Sequence, residues 1–402
     1  MHISYQAIFM NFPLPEPAPL PLALGFRRTL LIIIILLLNI DCIFGSEEIS
    51  VITDQQISAR PRMNNMKGKT TWYDQHQKFQ NMPFIEGDFI CWSINQQGNT
   101  FASTGTASTV SVPSNALSTL TSGQIYAPQS VMEPGFKLAI GMNLEYDFWN
   151  WMVTYTWIQA QQTSSVSSLS TNSSNGGIVP IFNYAPSNGI LTTIAINGGN
   201  SGFISTASAQ WHLRHLNIFD IYIGKYLYFS STFLLHPYLG IKATYQKQVL
   251  DIAYYVNSLS NASQELGQNK VHFQQHQWGM GPRFGIANFL KCVPHFDVFT
   301  NLAITSLYSS FYVISKSFDT NATVPSNNIE ICYQENNVYQ LIPILELSLG
   351  VSTEWLFTTG ACIVGSVAWE NQLWWYMNQH SSSIADLLLN MQGITASIHY
   401  DF

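Results

Sequence analysis

Apolar and polar residues alternate at every second position in several separate segments of the chain. The clearest segment is 136–146, where the even-numbered residues are large and apolar and the odd-numbered ones are Lys, Ala, Gly, Asn and Glu. A two-residue period is typical of a β-strand with one apolar face. Segment 149–157 repeats it after only two residues, which predicts a tight hairpin. The same period recurs in segments 233–245, 278–286, 341–350 and 394–402.

A soluble β-sandwich and a barrel in lipid both show this alternation, so the period alone does not distinguish them. The composition of the second, less apolar face of each strand does. The second face holds mostly Gly, Ala, Ser and Asn, with one or two charges in each segment. Only 10% of all residues are charged, against roughly 25% in an average soluble domain. After residue 45 the chain has no run of 18 apolar residues, and only helices and closed barrels satisfy the backbone in lipid. The pattern therefore predicts an all-β, transmembrane antiparallel β-barrel with a narrow aqueous lumen.

Polar, low-complexity stretches separate the alternating segments and predict long extracellular loops. They cover residues 100–130, 159–175, 183–202, 258–269 and 319–328. Aromatic residues cluster near the predicted strand ends, as at Trp149, Trp374 and Trp375, which indicates membrane girdles. Allowing about 22 residues for a strand with its turn and loop, residues 84–402 predict about 14 strands, within a range of roughly 12 to 16.

The N-terminal region predicts export. Arg27 and Arg28 precede an apolar run that ends near Gly45, which is typical of a secretory signal peptide. We assign residues 1–45 to a signal peptide with a long leader whose start is open, Met10 being an alternative. Residues 46–83 lack a strand pattern and form either a periplasmic tail or a plug. Residues 84–402 form the barrel, which places the protein in the bacterial outer membrane and outer-membrane lipid around it.

Several segments resemble a known family. Residues 87–92, GDFICW, residues 278–285, WGMGPRFG, and the end of the chain from Gln392 are similar to the Legionella and Chlamydia-related major outer membrane protein-like family of pore-forming proteins. The resemblance covers most of residues 84–402. It implies a porin-like channel for passive diffusion of small hydrophilic solutes and ions. It also implies that the barrel-insertion machinery recognises the C-terminal strand, with Tyr400 and Phe402 as the candidate signal. Lys225 and His236 depart from the family pattern, so we do not transfer its pore selectivity.

Charged residues on the inward phase are the candidate pore-lining groups. They are Lys137, Glu145, Lys242, Arg283, Glu346 and Glu354, with Asp401, Asp220 and His236 as further inward or neighbouring groups. A mixed-charge lumen sets ion preference, but the same charges would also point inward merely to avoid lipid and pair with one another. Arg283 is the best single candidate, because Gly281 and Gly285 beside it leave space for a long side chain.

Four cysteines follow the predicted cleavage site, and both disulfide bonds and free thiols are open for them. They are Cys91, Cys292, Cys332 and Cys362. The pair His272 and His276 lacks carboxylates at ligand spacing, so we expect no metal site. Gly279 and Gly281 lack the rest of a dinucleotide-binding loop, and there is no Gly-x-Ser-x-Gly motif.

The sequence thus predicts no enzyme and no cofactor. A net charge of −7 argues against nucleic acid as a partner. Exposed aromatic residues allow assembly as a homotrimer. The alternative to a porin is a surface-exposed structural or adhesin barrel with little conductance.

Overall fold

The computed structural model describes most of the predicted barrel region. The described residues are 82–107, 120–144, 148–167, 177–181, 202–230, 232–258, 265–293, 296–321, 324–357, 361–379 and 388–402. The predicted signal peptide and nearly all of the predicted tail or plug, residues 46–83, lie outside them.

The described residues form β-strands in chain order. They are β1 (Pro83–Gln96), β2 (Ala102–Ala107), β3 (Leu120–Tyr126), β4 (Met132–Asn143), β5 (Trp149–Ser167), β6 (Gly177–Pro180), β7 (Gly202–Lys225), β8 (Leu227–Tyr228), β9 (Phe233–Ser258), β10 (Glu265–Val293), β11 (Phe296–Asn321), β12 (Val324–Leu356), β13 (Cys362–Trp374) and β14 (Leu389–Asp401). No helix among the described residues is long and apolar enough to cross a membrane.

Ten of these strands close into one antiparallel barrel. Their order around the barrel is β1, β4, β5, β7, β9, β10, β11, β12, β13 and β14, with β14 pairing back onto β1. The closing seam runs from the pair Phe84–Asp401 to the pair Gln96–Leu389. Around the part of the barrel that all ten described strands share, closure leaves no unpaired strand edge, which is the condition for strands in lipid. The predicted all-β antiparallel barrel is confirmed.

The predicted count of about 14 strands is wrong, because the described residues close the barrel with ten. The estimate assumed strands of membrane-spanning length, but β9, β10, β11 and β12 have 26, 29, 26 and 33 residues. A strand crosses a bilayer in about 9–11 residues. Much of the sequence in 159–175, 258–269 and 319–328 that was expected to form loops therefore extends the strands beyond the membrane. Polar side chains are stable on the outer face there because that face meets water, whereas the inner face stays buried, as at Val166 and Asn269.

The outer face of the barrel is apolar, as the alternation predicted. On β4, Phe136, Leu138 and Ile140 are 36%, 55% and 56% exposed, while Lys137 between them points inward. Every barrel strand adds large apolar side chains that are more than a third exposed. Examples are Ile85, Phe89, Trp151, Ile221, Ile241, Met280, Phe284, Ile304, Leu341, Val351, Val367, Trp369, Ile394 and Ile398. Together they form an apolar belt of the kind that contacts hydrocarbon.

The two ends of the barrel differ. Both Pro83 and Asp401 lie at one end, together with the links from β4 to β5, β7 to β9, β10 to β11 and β12 to β13. We call this the short-turn end. The opposite, long-loop end has the links over residues 97–131, 168–201 and 375–388. In outer-membrane barrels the short turns face the periplasm and the long loops face the outside.

A small sheet of β3, β2 and β6 belongs to the long-loop end. Phe101, Ala102 and Ile178 in and beside this sheet are buried in one apolar cluster with inward side chains of the wall, among them Trp211 and Tyr254. The hydroxyl of Tyr254 donates a hydrogen bond to the carbonyl oxygen of Phe101 at 2.6 Å. The interior of this half is therefore an apolar core, where the sequence pattern predicted a polar lumen throughout.

Gly281 marks a close approach between β10 and β11. A Cβ atom at this position would collide with the backbone carbonyl oxygen of Ser306, and register pairing is interrupted between Met280 and Arg283. We expect Gly281→Ala to lower the free energy of unfolding by about 1–3 kcal/mol, since the two strands must separate. Urea unfolding of the refolded protein in lipid vesicles measures this. The control is Gly87→Ala, because nothing lies within 4 Å of its Cβ position. Equal losses in both variants would contradict the prediction.

Candidate functional site in the barrel interior

A cavity of about 380 Å³ lies inside the barrel, between the short-turn end and its middle. Its lining is strongly charged and mainly acidic. The acidic residues are Glu86, Asp88, Asp220, Asp297, Glu346, Glu354, Glu370 and Asp401, and the Lys and Arg residues are Lys137, Lys242 and Arg283. Eight carboxyl groups therefore face three permanent cations. A lining with this imbalance attracts cations and repels anions.

Four of these residues form an ion-pair quartet: Asp220 on β7, Lys242 on β9, Arg283 on β10 and Glu346 on β12. The Lys242 ammonium lies 3.1 Å from an Asp220 carboxylate oxygen and 2.9 Å from one of Glu346. The Arg283 guanidinium lies 3.4 Å from Asp220 and 2.5 Å from Glu346. Each cation thus contacts both carboxylates. Only 1% of the Lys242 side chain is exposed, so these pairs replace most of its contact with water.

Register and small residues position the quartet. Asp220 and Lys242 are direct partners across β7 and β9. Gly285 leaves room for the ring of Tyr238, which occupies the space that a Cβ atom would need. That ring lies 5.5 Å from the Arg283 guanidinium, within cation–π distance. The glycine beside Arg283 does provide space, as the sequence suggested, but Tyr238 fills it and packs against the arginine.

Two further clusters of polar contacts lie towards the closing seam, one around Lys137 and one around His399. The Lys137 ammonium is 2.6 Å and 2.7 Å from the two carboxylate oxygens of Glu370, and 4.9 Å from the centre of the Trp92 ring. His399 lies between two carboxylates, with Nδ1 3.0 Å from Glu86 and Nε2 3.3 Å from Asp401. Charged groups from β1, β4, β13 and β14 thus complete the ring of polar contacts around the cavity.

The structure places most of the predicted pore-lining residues together. Lys137, Lys242, Arg283, Glu346 and Glu354 line the cavity, whereas Glu145 lies outside the described residues. Their role in conduction stays a prediction.

Sequence reasoning missed several cavity residues. It did not select Glu86, Glu370 or His399 as pore-lining residues. Glu86 could have been found, since Glu86 and Asp88 alternate with the apolar residues Ile85 and Phe89. Glu370 had a weaker signal, because Gly365 interrupts the apolar phase of β13.

A polar stripe continues from the quartet towards the long-loop end along β9, β10 and β11. The Gln277 amide donates hydrogen bonds to Thr244 at 3.0 Å and to Ser309 at 3.1 Å. The neighbouring Gln246 is fully buried, and neither its amide nitrogen nor its amide oxygen has a hydrogen-bond partner among the described residues. A buried amide without protein partners is typically hydrated. The stripe can therefore hold water.

Two link segments narrow the interior beyond the stripe. In residues 375–379, Met377 and Asn378 are buried. Gln275 on β10 holds this segment at two points: its amide nitrogen donates to the Met377 carbonyl at 2.6 Å, and its amide oxygen accepts from the Gln379 backbone N–H at 3.1 Å.

The second segment, residues 97–101, is bound to the first one. Asn378 donates to the Gln97 carbonyl at 2.9 Å and to the Asn99 side chain at 3.1 Å. Phe101 in turn accepts the hydrogen bond from Tyr254. We call residues 97–101 and 375–379 the inner constriction. The two segments follow β1 and β13, so they come from the long-loop end.

The cysteines and the C-terminal aromatic residues lie apart from the quartet. Cys91, Cys292 and Cys362 are free cysteines, and the Cys332 side chain lies outside the described residues. Cys362 faces the cavity and Cys91 the outside, so these two cannot form a disulfide bond without changing the face of a strand. The rings of Tyr400 and Phe402 stack with centres 5.7 Å apart at the short-turn end. Their role as an insertion signal stays a prediction.

Comparisons with solved structures give distant likenesses. The outer membrane protease OmpT of Escherichia coli is 12% identical, with 83% of this chain and 97% of that chain covered and a TM-score of 0.32. A Pseudomonas aeruginosa FadL homologue is 8% identical, with 81% and 91% covered and a TM-score of 0.24. No curated protein matches the sequence.

One family model matches most of the chain. Residues 85–401 match the model described as Legionella pneumophila major outer membrane protein precursor. This range is nearly identical to the barrel, which begins at Pro83 and ends at Asp401. The apolar belt and the closed antiparallel sheet are what an outer-membrane protein requires. The chain therefore belongs to the Legionella pneumophila major outer membrane protein family and is a β-barrel of the bacterial outer membrane.

Proposed function

We propose that the protein is a porin-like channel through which small hydrophilic solutes and ions diffuse passively across the outer membrane. The observation that carries this proposal is the continuous polar surface inside the barrel. It begins at the acidic cavity, passes the ion-pair quartet and continues along Thr244, Gln246 and Gln277. Buried polar atoms without protein partners are costly unless water or a permeating solute contacts them.

The proposed channel is narrow. Barrels with about eight strands are filled by their own side chains, whereas porins with an open aqueous channel have about 16–18 strands. Ten strands lie close to the smaller class. We therefore expect a small single-channel conductance. The excess of carboxyl groups in the cavity lining leads us to expect a preference for cations.

Recording from the full-length protein in planar bilayers tests the proposal. The folded protein, identified by its heat-modifiable gel migration, is expected to give discrete current steps. In a salt gradient, the reversal potential is expected to show that cations carry most of the current. Folded protein that gives no current steps, either as wild type or after release of the inner constriction, would refute the proposal.

Arg283→Ala tests the contribution of the quartet. Loss of this cation leaves Asp220 and Glu346 less neutralised, so we expect the cation-to-anion permeability ratio to rise. A unit charge at about 4 Å in water interacts with about 1 kcal/mol, which changes the permeability of each ion by up to roughly fivefold. The changes for cation and anion are opposite, so the increase in the ratio is limited to roughly 30-fold. Reversal potentials measure the ratio. Lys270→Ala, which removes an exposed cation outside the cavity, is the control. An unchanged ratio in the Arg283 variant would remove this residue from the conduction path.

A second candidate function is a surface-exposed structural or adhesin barrel with little conductance. The inner constriction favours it, because residues 97–101 and 375–379 bring buried side chains into the interior. Current recordings separate the two functions. Only a channel is expected to conduct more when the constriction is released.

Three further features of the protein are proposals of their own. We propose that the barrel catalyses no reaction, which peptide and phospholipid turnover assays test.

We propose that exposed aromatic residues allow a homotrimer, which chemical cross-linking in native membranes tests. We propose that the barrel-insertion machinery recognises Tyr400 and Phe402, and removal of both rings is expected to reduce insertion.

A further inference from the structure

An aromatic row marks the long-loop edge of the apolar belt on the outer face. Tyr245 on β9 and Trp278 on β10 are register partners, and Trp278 is followed across β11 by Ser310 and then by Tyr339 on β12. Tyr245, Trp278 and Tyr339 are all exposed. Tyr and Trp prefer the boundary between hydrocarbon and headgroups. This row therefore lies at the lipid headgroup level of the outer leaflet.

A cationic row lies directly beyond the aromatic row, two residues further along β9 and β10. Arg214 on β7 pairs in register with Lys247 on β9, and Lys247 pairs with His276 on β10. A register shift follows Arg214, and His215 within it has a φ of 54°. This β-bulge exposes both Arg214 and His215 on the outer face, as bulges commonly redirect side chains. We define Arg214, His215, Lys247 and His276 as the cationic row.

Arg214 and Lys247 bring two positive charges to directly opposite positions. Like charges at such positions destabilise a sheet. Among the described residues, neither Arg214 nor Lys247 forms an ion pair with a carboxylate. Described carboxylates towards this end of the barrel have other partners. Glu133 accepts a hydrogen bond from the Gln161 backbone N–H at 3.1 Å. Asp251 is 2.6 Å from His272, and Glu335 accepts hydrogen bonds from Tyr312 and Tyr333 at 2.8 Å each.

The histidines near the row are consistent with a positive local potential. Partial burial and then the charge of Lys247 lower the pKa of His276. Partial burial and then the charge of Arg214, two residues away on β7, lower the pKa of His212, and Asp251 opposes this only in part. Lys247 and Arg214 thus each contribute to lowering the pKa of a neighbouring imidazole. An anion between Arg214 and Lys247 would remove the repulsion.

We propose that the cationic row binds the phosphate group of a phosphorylated lipid in the outer leaflet. The arginine fork suits the bidentate geometry of a phosphate, and Lys247 adds a second charge-assisted contact. The aromatic row sets the depth of the site, since the phosphates of a bilayer lie just outside its hydrocarbon. Acyl chains of the same lipid lie along the apolar belt below. This site is on the outer face and is independent of conduction.

Native mass spectrometry of the full-length protein in detergent tests the proposal, with diphosphorylated lipid A as the probe. We expect the double variant Arg214→Gln/Lys247→Gln to bind lipid A about tenfold more weakly than wild type, because two charge-assisted contacts are lost. The matched control is Lys225→Gln/Lys291→Gln, which removes two cations at the short-turn end and is expected to leave binding unchanged. Arg214→Lys keeps the positive charge but loses the two parallel N–H donors of the guanidinium. It is expected to weaken lipid A binding less than the double variant does.

Two further probes decide the chemistry. Lipid A without phosphate groups is expected to bind wild type as weakly as diphosphorylated lipid A binds the double variant. Phosphatidylglycerol that binds with equal strength, and is lost in the double variant, would support the phosphate site and assign its ligand to the glycerophospholipids. Equal binding of lipid A by wild type and the double variant would overturn the proposal. So would equal binding of lipid A with and without its phosphates.

Discussion

Lys242→Met is expected to lower the free energy of unfolding by about 3–5 kcal/mol. The Lys242 ammonium is almost fully buried and neutralises both Asp220 and Glu346. Met preserves most of the side-chain volume, so the loss comes from charge rather than from a cavity. With Lys242 gone, Arg283 alone faces two buried carboxylates. Removing one partner of a buried ion pair leaves an uncompensated buried charge.

Urea unfolding of refolded protein in lipid vesicles measures this loss. Lys270→Met is the matched control, because Lys270 is exposed and its loss is expected to change stability by less than about 0.5 kcal/mol. The double variant Lys242→Met/Glu346→Gln leaves one cation, Arg283, with one carboxylate, Asp220. It is therefore expected to be more stable than the sum of the two single losses implies. Additive losses would mean that the quartet does not act as one unit.

Gln275→Ala is expected to raise the open fraction of the proposed channel roughly tenfold or more. Gln275 forms both hydrogen bonds that hold residues 375–379 to β10. A buried hydrogen bond contributes about 1 kcal/mol net, so loss of two shifts the equilibrium by about 2 kcal/mol. Release of this segment also frees residues 97–101, since Asn378 binds them. The polar stripe is then no longer blocked by the inner constriction on its side towards the long-loop end.

Single-channel recordings of open probability measure this effect. Gln274→Ala is the control, because it removes the same side chain from the adjacent position, where the strand alternation directs it to the outer face. The control is expected to retain the open probability of the wild type. An unchanged open probability in the Gln275 variant would show that residues 375–379 do not limit conduction. That result would favour the second candidate function, a surface-exposed structural or adhesin barrel with little conductance.

The strand period and the orientation of charges could be predicted from the sequence because they depend on local geometry. Successive side chains of a strand point to opposite faces, so the apolar neighbours of Lys137 and Lys242 already assign these lysines to the inside. Their partners could not be predicted in the same way. Asp220, Lys242 and Glu346 meet across the barrel only because ten strands close in one particular register, which is a property of the whole sheet.

Trp374 illustrates the limit of the sequence interpretation. Its position near a strand end suggested a membrane girdle, but it is fully buried inside the barrel and donates a hydrogen bond from its indole to Gln372 at 3.1 Å. Aromatic residues near strand ends occur on both faces of the barrel. Only the alternation of apolar and polar residues along the strand tells whether such a ring points inward or outward. Gly365 weakens that phase in β13. The apolar interior at the long-loop end was missed for a similar reason, since link residues such as Phe101 have no strand phase of their own.

The length of β12 has a consequence for recognition of the bacterial surface. From Tyr339 at the headgroup level to Val324, this strand continues for about 50 Å at roughly 3.3 Å per residue. With the usual tilt of about 40°, its tip stands about 40 Å above the bilayer. We therefore expect the β11–β12 hairpin to be accessible to large extracellular ligands such as antibodies. Sequence variation among bacterial isolates that evade such ligands should concentrate in this hairpin rather than in the strands below.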